Sequence, residues 1–135
     1  MKPLKKVVAV IWAAGIAAGG VLAASPAQAA DSRIDIGHTI VDGRYVKGSG
    51  SMTNNGDYTN VCIVIMGKRN GSGYSDKTKA CRSNRGSLTW SAPDLYTGSL
   101  DGKACYEFYT RISAYKNGTR VANKNSNHVR VGTCE

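Results

Sequence analysis

The chain has 135 residues, with 18 Lys and Arg, nine Asp and Glu, two His and a formal net charge of +9. That length holds one domain. The basic residues are dispersed with no run of five, which argues against a dedicated nucleic-acid binder and leaves anionic partners in general.

The chain opens on MKPLKK, with Lys2, Lys5 and Lys6, followed by an apolar run from Val7 to Ala24 and then SPAQAA. A basic start, an apolar middle and Ala27 and Ala29 in a small-x-small site predict a secretory signal peptide over residues 1–30. The rival reading is an uncleaved membrane anchor, since the run nearly reaches spanning length. Pro26 and the Ala-rich site directly after the run favour cleavage. Lys2, Lys5 and Lys6 would leave with it and no acid would, so fifteen cations against nine acids remain, a net of +6. The expected domain covers residues 31–135, with 31–52 a candidate extended segment at its start.

Helical periodicity is almost absent after residue 30, and strand patterns are frequent. IDIGHTI places Ile34, Ile36, His38 and Ile40 on one face. RYVKGSGSM reads as a glycine-loosened strand. VCIVIM, from Val61 to Met66, is apolar on both faces, as an interior strand buried on both sides requires. YSDKTKAC is its polar neighbour. SLTWSA alternates, with Leu88 and Trp90 on one face. SAPDLYTGSLDGKAC carries no clear element. CYEFYTRISAY is a long strand. One of its faces carries Tyr106, Phe108, Thr110, Ile112 and Ala114; the other carries Glu107, Tyr109, Arg111 and Tyr115. TRVANK and HVRVGTC complete the set. Asn117-Gly118 is a strong hairpin signal, because both central residues of the favoured turn need positive φ. The expected fold is all-β: a small antiparallel sandwich, immunoglobulin-like or similar, of seven or eight strands.

All four cysteines lie after residue 60. An even number in a small exported chain reads as a disulfide framework. If Gly71 and Ser72 centre a hairpin, paired residues sum to 143, and Cys62 and Cys81 face each other across it. Opposed cross-strand residues come close enough to bridge. Four cysteines allow three connectivities; the preferred one is Cys62–Cys81 with Cys105–Cys134. The second bridge cannot lie within the Asn117-Gly118 hairpin, whose partners sum to 235, and would tie the start of the long strand to the last residues.

Candidate chemistry is sparse. No CxxC exists, and only His38 and His128 could add nitrogen ligands, so no metal or other cofactor is expected. No GxSxG element exists. The single aspartates of DGKAC and NNGDY are not an EF-hand loop. Asn70-Gly71-Ser72 and Asn117-Gly118-Thr119 fit the glycosylation pattern, but turn geometry already explains both. Glu107, Arg111 and His128 could be recruited into a small basic nuclease, a third-ranked reading set against a solvated strand face. Seven tyrosines, one Trp and one Phe remain after residue 30. Tyrosine beside arginine is the composition of a protein-contact surface. The candidate contact residues are Tyr96, Tyr109, Arg111 and Tyr115, with Ile34, Ile36 and Ile40 of the leading segment available for strand addition.

The VCIVIMGKRNGSGY…C hairpin, the CYEFYTRISAYKNG strand, the last cysteine and the Ala-rich leader resemble the small disulfide-stapled β-domains exported by actinobacteria. The cysteine order is similar to that of tendamistat-type amylase inhibitors, whose reactive Trp-Arg-Tyr turn falls where this chain reads KRNGSGY. The segment ADSRIDIGHTIVDGRYVKGSGSM is similar to the leading segment of the adaptor subunit in the umbrella toxin particles of Streptomyces. These resemblances imply an extracellular, non-catalytic binding or adaptor domain, a subunit of a secreted antibacterial complex. The alternative they imply is an inhibitor of a secreted hydrolase. Either way the partner is another secreted protein, with no specific nucleic acid and no membrane once the leader is gone.

Overall fold

The structure, a computed structural model, describes residues 31–135; the signal-peptide expectation for residues 1–30 lies outside the described residues. Among the described residues there are eleven strands and no helix. They are β1 (Arg33–Ile36), β2 (Ile40–Asp42), β3 (Tyr45–Lys47), β4 (Ser49–Asn54), β5 (Asn60–Arg69) and β6 (Ser75–Arg82). After these come β7 (Gly86–Ser91), β8 (Leu95–Tyr96), β9 (Cys105–Lys116), β10 (Thr119–Asn125) and β11 (Val129–Gly132). The expected seven or eight strands run β1 on to the start of β2, join β3 to β4, and miss the two-residue β8.

Every pairing is antiparallel. The main sheet runs β10–β9–β5–β6, with β11 also on β9; the others are β1–β4–β7 and β2–β3–β8. The core fills the space between the inner face of the main sheet and the β1–β4–β7 sheet, in a sandwich-like arrangement. Val61, Ile63 and Ile65 of β5 meet Phe108, Ile112 and Ala114 of β9, and Ile34, Met52 and Trp90 close over them. Each large apolar side chain removed from water contributes about 1.5–3 kcal/mol. Trp90 satisfies its indole N–H by donating to the Ala80 carbonyl at 3.0 Å. The sheets approach closely at Gly48, where a Cβ would collide with the Thr110 side chain. The glycines of RYVKGSGSM therefore serve close packing rather than looseness.

The β5–β6 hairpin follows the expected pairing from Val61–Arg82 to Ile65–Thr78, including Cys62 opposite Cys81. A bulge beyond Ile65 then shifts the register by one, to Met66–Asp76 and Gly67–Ser75. The tip is thus not a two-residue turn centred on Gly71 and Ser72; it closes through the Ser72 N–H donating to the Arg69 carbonyl at 2.9 Å. The bulge absorbs the extra residue and leaves the half below it in place. Both disulfides match the preferred pairing, Cys62–Cys81 and Cys105–Cys134, and no cysteine is free. The second is reached because β11 pairs Gly132 with Cys105 and so returns the chain to the start of β9.

The Ile34–Ile40 face is corrected. Ile34 is buried, but the strand ends at Ile36, and in the stretch 37–39 it is Thr39, not His38, that turns inward. Thr39 is held there by Thr110 Oγ1 at 2.5 Å and Ser126 Oγ at 2.6 Å. The alternation slips by one, so Ile40 points to solvent and His38 is exposed.

Candidate functional site

Two surfaces stand apart from the core. The first is the outer face of the main sheet. Its β9 residues are Glu107, Tyr109, Arg111, Ser113 and Tyr115, and the paired β5 residues are Lys68, Met66, Val64, Cys62 and Asn60. Cys62, Val64, Met66 and Tyr109 bury one another in a second apolar cluster, with Tyr74, Cys81 and Tyr115 against it. That cluster explains why VCIVIM is apolar on both faces without a further layer above it.

At one end of this face a polar network gathers on Glu107. The His128 Nδ1–H donates to Glu107 Oε2, and Arg130 Nε lies 3.9 Å from Oε1. The Tyr74 hydroxyl lies 3.2 Å from the same Nδ1. Since that nitrogen's proton is given to Glu107, the Tyr74 hydroxyl hydrogen also goes to the carboxylate. His128 stacks on Tyr109 at 4.8 Å between centroids and 10° between planes. The Glu107 carboxyl is held below its ordinary value first by the hydrogen bond from His128, then by that from Tyr74. The Tyr74 hydroxyl is pushed up to about 12, chiefly by burial and then by its hydrogen bond to Glu107. Beside the network, a recess of about 580 Å³ is lined by Lys68, Arg69, Lys103 and Arg130 together with Glu107 and Glu135.

The second surface is the outer face of the β2–β3–β8 sheet. Tyr45 of β3 pairs directly with Tyr96 of β8, and their rings lie 5.5 Å apart. Ile40 of β2, opposite Lys47, falls on the same face by the alternation of the strands. Lys47 donates to Asp94 at 2.6 Å at its rim. Tyr45 is 43% exposed, Tyr96 46% and Ile40 49%.

The expected contact residues are thereby divided. Tyr96 and Ile40 lie on the small sheet. Arg111 and Tyr115 lie half-buried on the main sheet's outer face. Ile34 belongs to the core and Ile36 packs against it, on a strand that pairs with β4; Tyr109 is covered by His128. Glu107 and His128 do meet, with Arg111 next in line through its bond to the Tyr109 hydroxyl at 2.8 Å. Tyr45 was missed because its strand is three residues long and only the pairing with Tyr96 gives it a face.

Neither a family model nor a curated protein matches this chain. Among solved structures it is similar to the β-glucuronidase of Bacteroides uniformis, at a TM-score of 0.39 and 13% identity, over 73% of this chain and 13% of that enzyme's. The chain spans a small part of that enzyme's length, and a likeness of this degree carries neither fold nor activity across.

Proposed function

We propose that this protein is an exported, non-catalytic binding domain that docks onto another secreted protein through the outer face of its β2–β3–β8 sheet. One observation carries the reading. Of five exposed large hydrophobic side chains among the described residues, three (Ile40, Tyr45 and Tyr96) share the outer face of this eight-residue sheet, while Val41, opposite the buried Val46, lies on its other face. A paired-tyrosine patch rimmed by Lys47 and Asp94 has the composition of an interface centre with a polar border. Two disulfides are compatible with an extracellular site of action. Service as the adaptor of a secreted antibacterial complex fits this surface, as does inhibition of a secreted hydrolase.

The test is capture from the producing culture's medium, with the retained chain identified by mass and its complex reconstituted from purified components. A Tyr45→Ser/Tyr96→Ser double variant is expected to bind that chain at least 30-fold more weakly, about 2 kcal/mol. An unchanged affinity sinks the proposal. A captured hydrolase that loses activity assigns the inhibitor role; a large inactive chain assigns the adaptor role.

The contact of Glu107 with His128 beside four cations favours a second reading, a small basic nuclease. Phosphodiester turnover by the purified protein, abolished in His128→Ala, would establish it in place of the first.

A further inference from the structure

The other half of the main sheet's outer face holds a groove of about 450 Å³. Its floor is Val64, Met66 and the Cys62–Cys81 bridge, and Tyr115 and Lys79 stand beside it. Register puts Lys79, Val64 and Arg111 in one row across β6, β5 and β9, so two cations flank an apolar strand.

Arg111 is the unusual member. It is half-buried, yet no acid lies within ion-pair distance of it among the described residues. Its guanidinium has five N–H donors. One bond from it is made, Nη2 to the Tyr109 hydroxyl at 2.8 Å, with the Tyr109 ring 5.8 Å from the guanidinium carbon. The Nε is buried and has no partner among the described residues. Taking an ion out of water without a counter-ion is costly, and the buried Nε bears part of that cost. The guanidinium thus has a hydroxyl and a ring beside it but no counter-ion.

We propose that the groove is a binding site for an apolar monocarboxylate, the carboxylate on Arg111 and the apolar body over Val64, Met66 and the disulfide. A planar carboxylate matches the fork of a guanidinium, which can meet both of its oxygens. The ligand carries a single charge because only Arg111 is uncompensated; Lys79 already has Asp76 at 4.0 Å. The volume lies in the range of small-ligand sites, and the lining is mixed: Val64, Met66 and the disulfide form an apolar floor, with Thr59, Asn60, Asp76 and Ser113 among the polar groups around it. Two sources offer this chemistry, a free aliphatic acid and the C-terminal carboxylate of a peptide ending in an apolar residue. The site is independent of the Tyr45–Tyr96 face.

Chemical-shift titration of the exported protein with octanoate tests the proposal, with octanol as the uncharged control. Octanoate is expected to shift the Val64 and Met66 methyl signals saturably, and octanol at least tenfold more weakly. A short peptide ending in leucine, free or amidated at its C-terminus, distinguishes the source; a response to the free form alone supports the site and assigns it to polypeptide ends. Arg111→Met, which keeps an apolar stem without the charge, is expected to abolish the response, and Tyr45→Ser/Tyr96→Ser to leave it intact. Equal responses to octanoate and octanol, or no response to either octanoate or the free peptide, overturn the proposal on the unaltered protein, even if the Arg111 variant fails to fold.

Discussion

At the scale of single residues, Glu107 is the centre of the polar network on the main sheet's outer face. It takes hydrogen bonds from His128 and Tyr74 and faces Arg130. Its proton affinity is lower folded than unfolded, so it stabilises the fold above its ordinary value of 4.5, and that contribution is lost as pH falls through the lower folded value. Thermal unfolding followed from pH 6 to pH 2 is expected to show a drop in midpoint beginning near pH 4.5. In Glu107→Gln that part of the slope should be missing, with a lower midpoint at pH 6. Equal slopes in the two proteins would show that the network does not hold the carboxylate. The sequence grouped Glu107 with Arg111 and His128 only in a third-ranked reading set against a solvated strand face, and Glu107 and His128 lie 21 positions apart. Nothing in their spacing shows that β11 returns beside β9 and lays His128 against Glu107.

At the scale of elements, the long strand β9 changes partner along its length. β10 pairs with it from Arg111 to Lys116, and β11 from Cys105 to Phe108. Between them the backbone of Thr110 would be unpaired on that side, and Ser126 fills the gap. Its Oγ accepts from the Thr110 N–H at 2.8 Å, and its own N–H donates to the Thr110 carbonyl at 2.9 Å. The same hydroxyl meets Thr39, and Asn127 clasps the Thr39 backbone through both ends of its amide, at 2.9 and 3.1 Å. Ser126→Ala is expected to cost about 1–3 kcal/mol in denaturant unfolding, because it strands the Thr110 N–H and removes one of the two partners of the Thr39 hydroxyl. It should also raise amide exchange at Thr110. A loss below about 0.5 kcal/mol would mean that the strand switch does not depend on this hydroxyl. Asn-Ser-Asn reads in sequence as an ordinary polar turn; its role exists only where three distant segments converge.

At the scale of the whole molecule, the described residues 31–135 bury a modest core, and two covalent links close loops with separations of 19 and 29 residues. Each is expected to contribute about 3–4 kcal/mol by restricting the unfolded chain. Removing Cys62 and Cys81 together, as Cys62→Ala/Cys81→Val, should lower stability by about that amount and open the floor of the Arg111 groove. Chemical denaturation with the second bridge intact is the measurement. A change under about 1 kcal/mol would show that the outer-face cluster holds without its staple.

What the sequence by itself determined is what local chemistry encodes. Alternation and β-rich composition specify an all-strand chain, and Val61–Met66 specifies an interior strand. Asn117-Gly118 specifies its turn, with both residues at positive φ, 52° and 84°. An even cysteine count and a hairpin register specify the first bridge. What only the tertiary structure decided depends on segments far apart meeting: the slip that turns Ile40 outward and buries Thr39, the face made by Tyr45 with Tyr96, and the meeting of Glu107 with His128. The reason is that strand pattern fixes which residues share a face. Which faces find a covering layer, and which are left to solvent, is settled by pairings between strands as far apart in the chain as those of Asn60 and Tyr115.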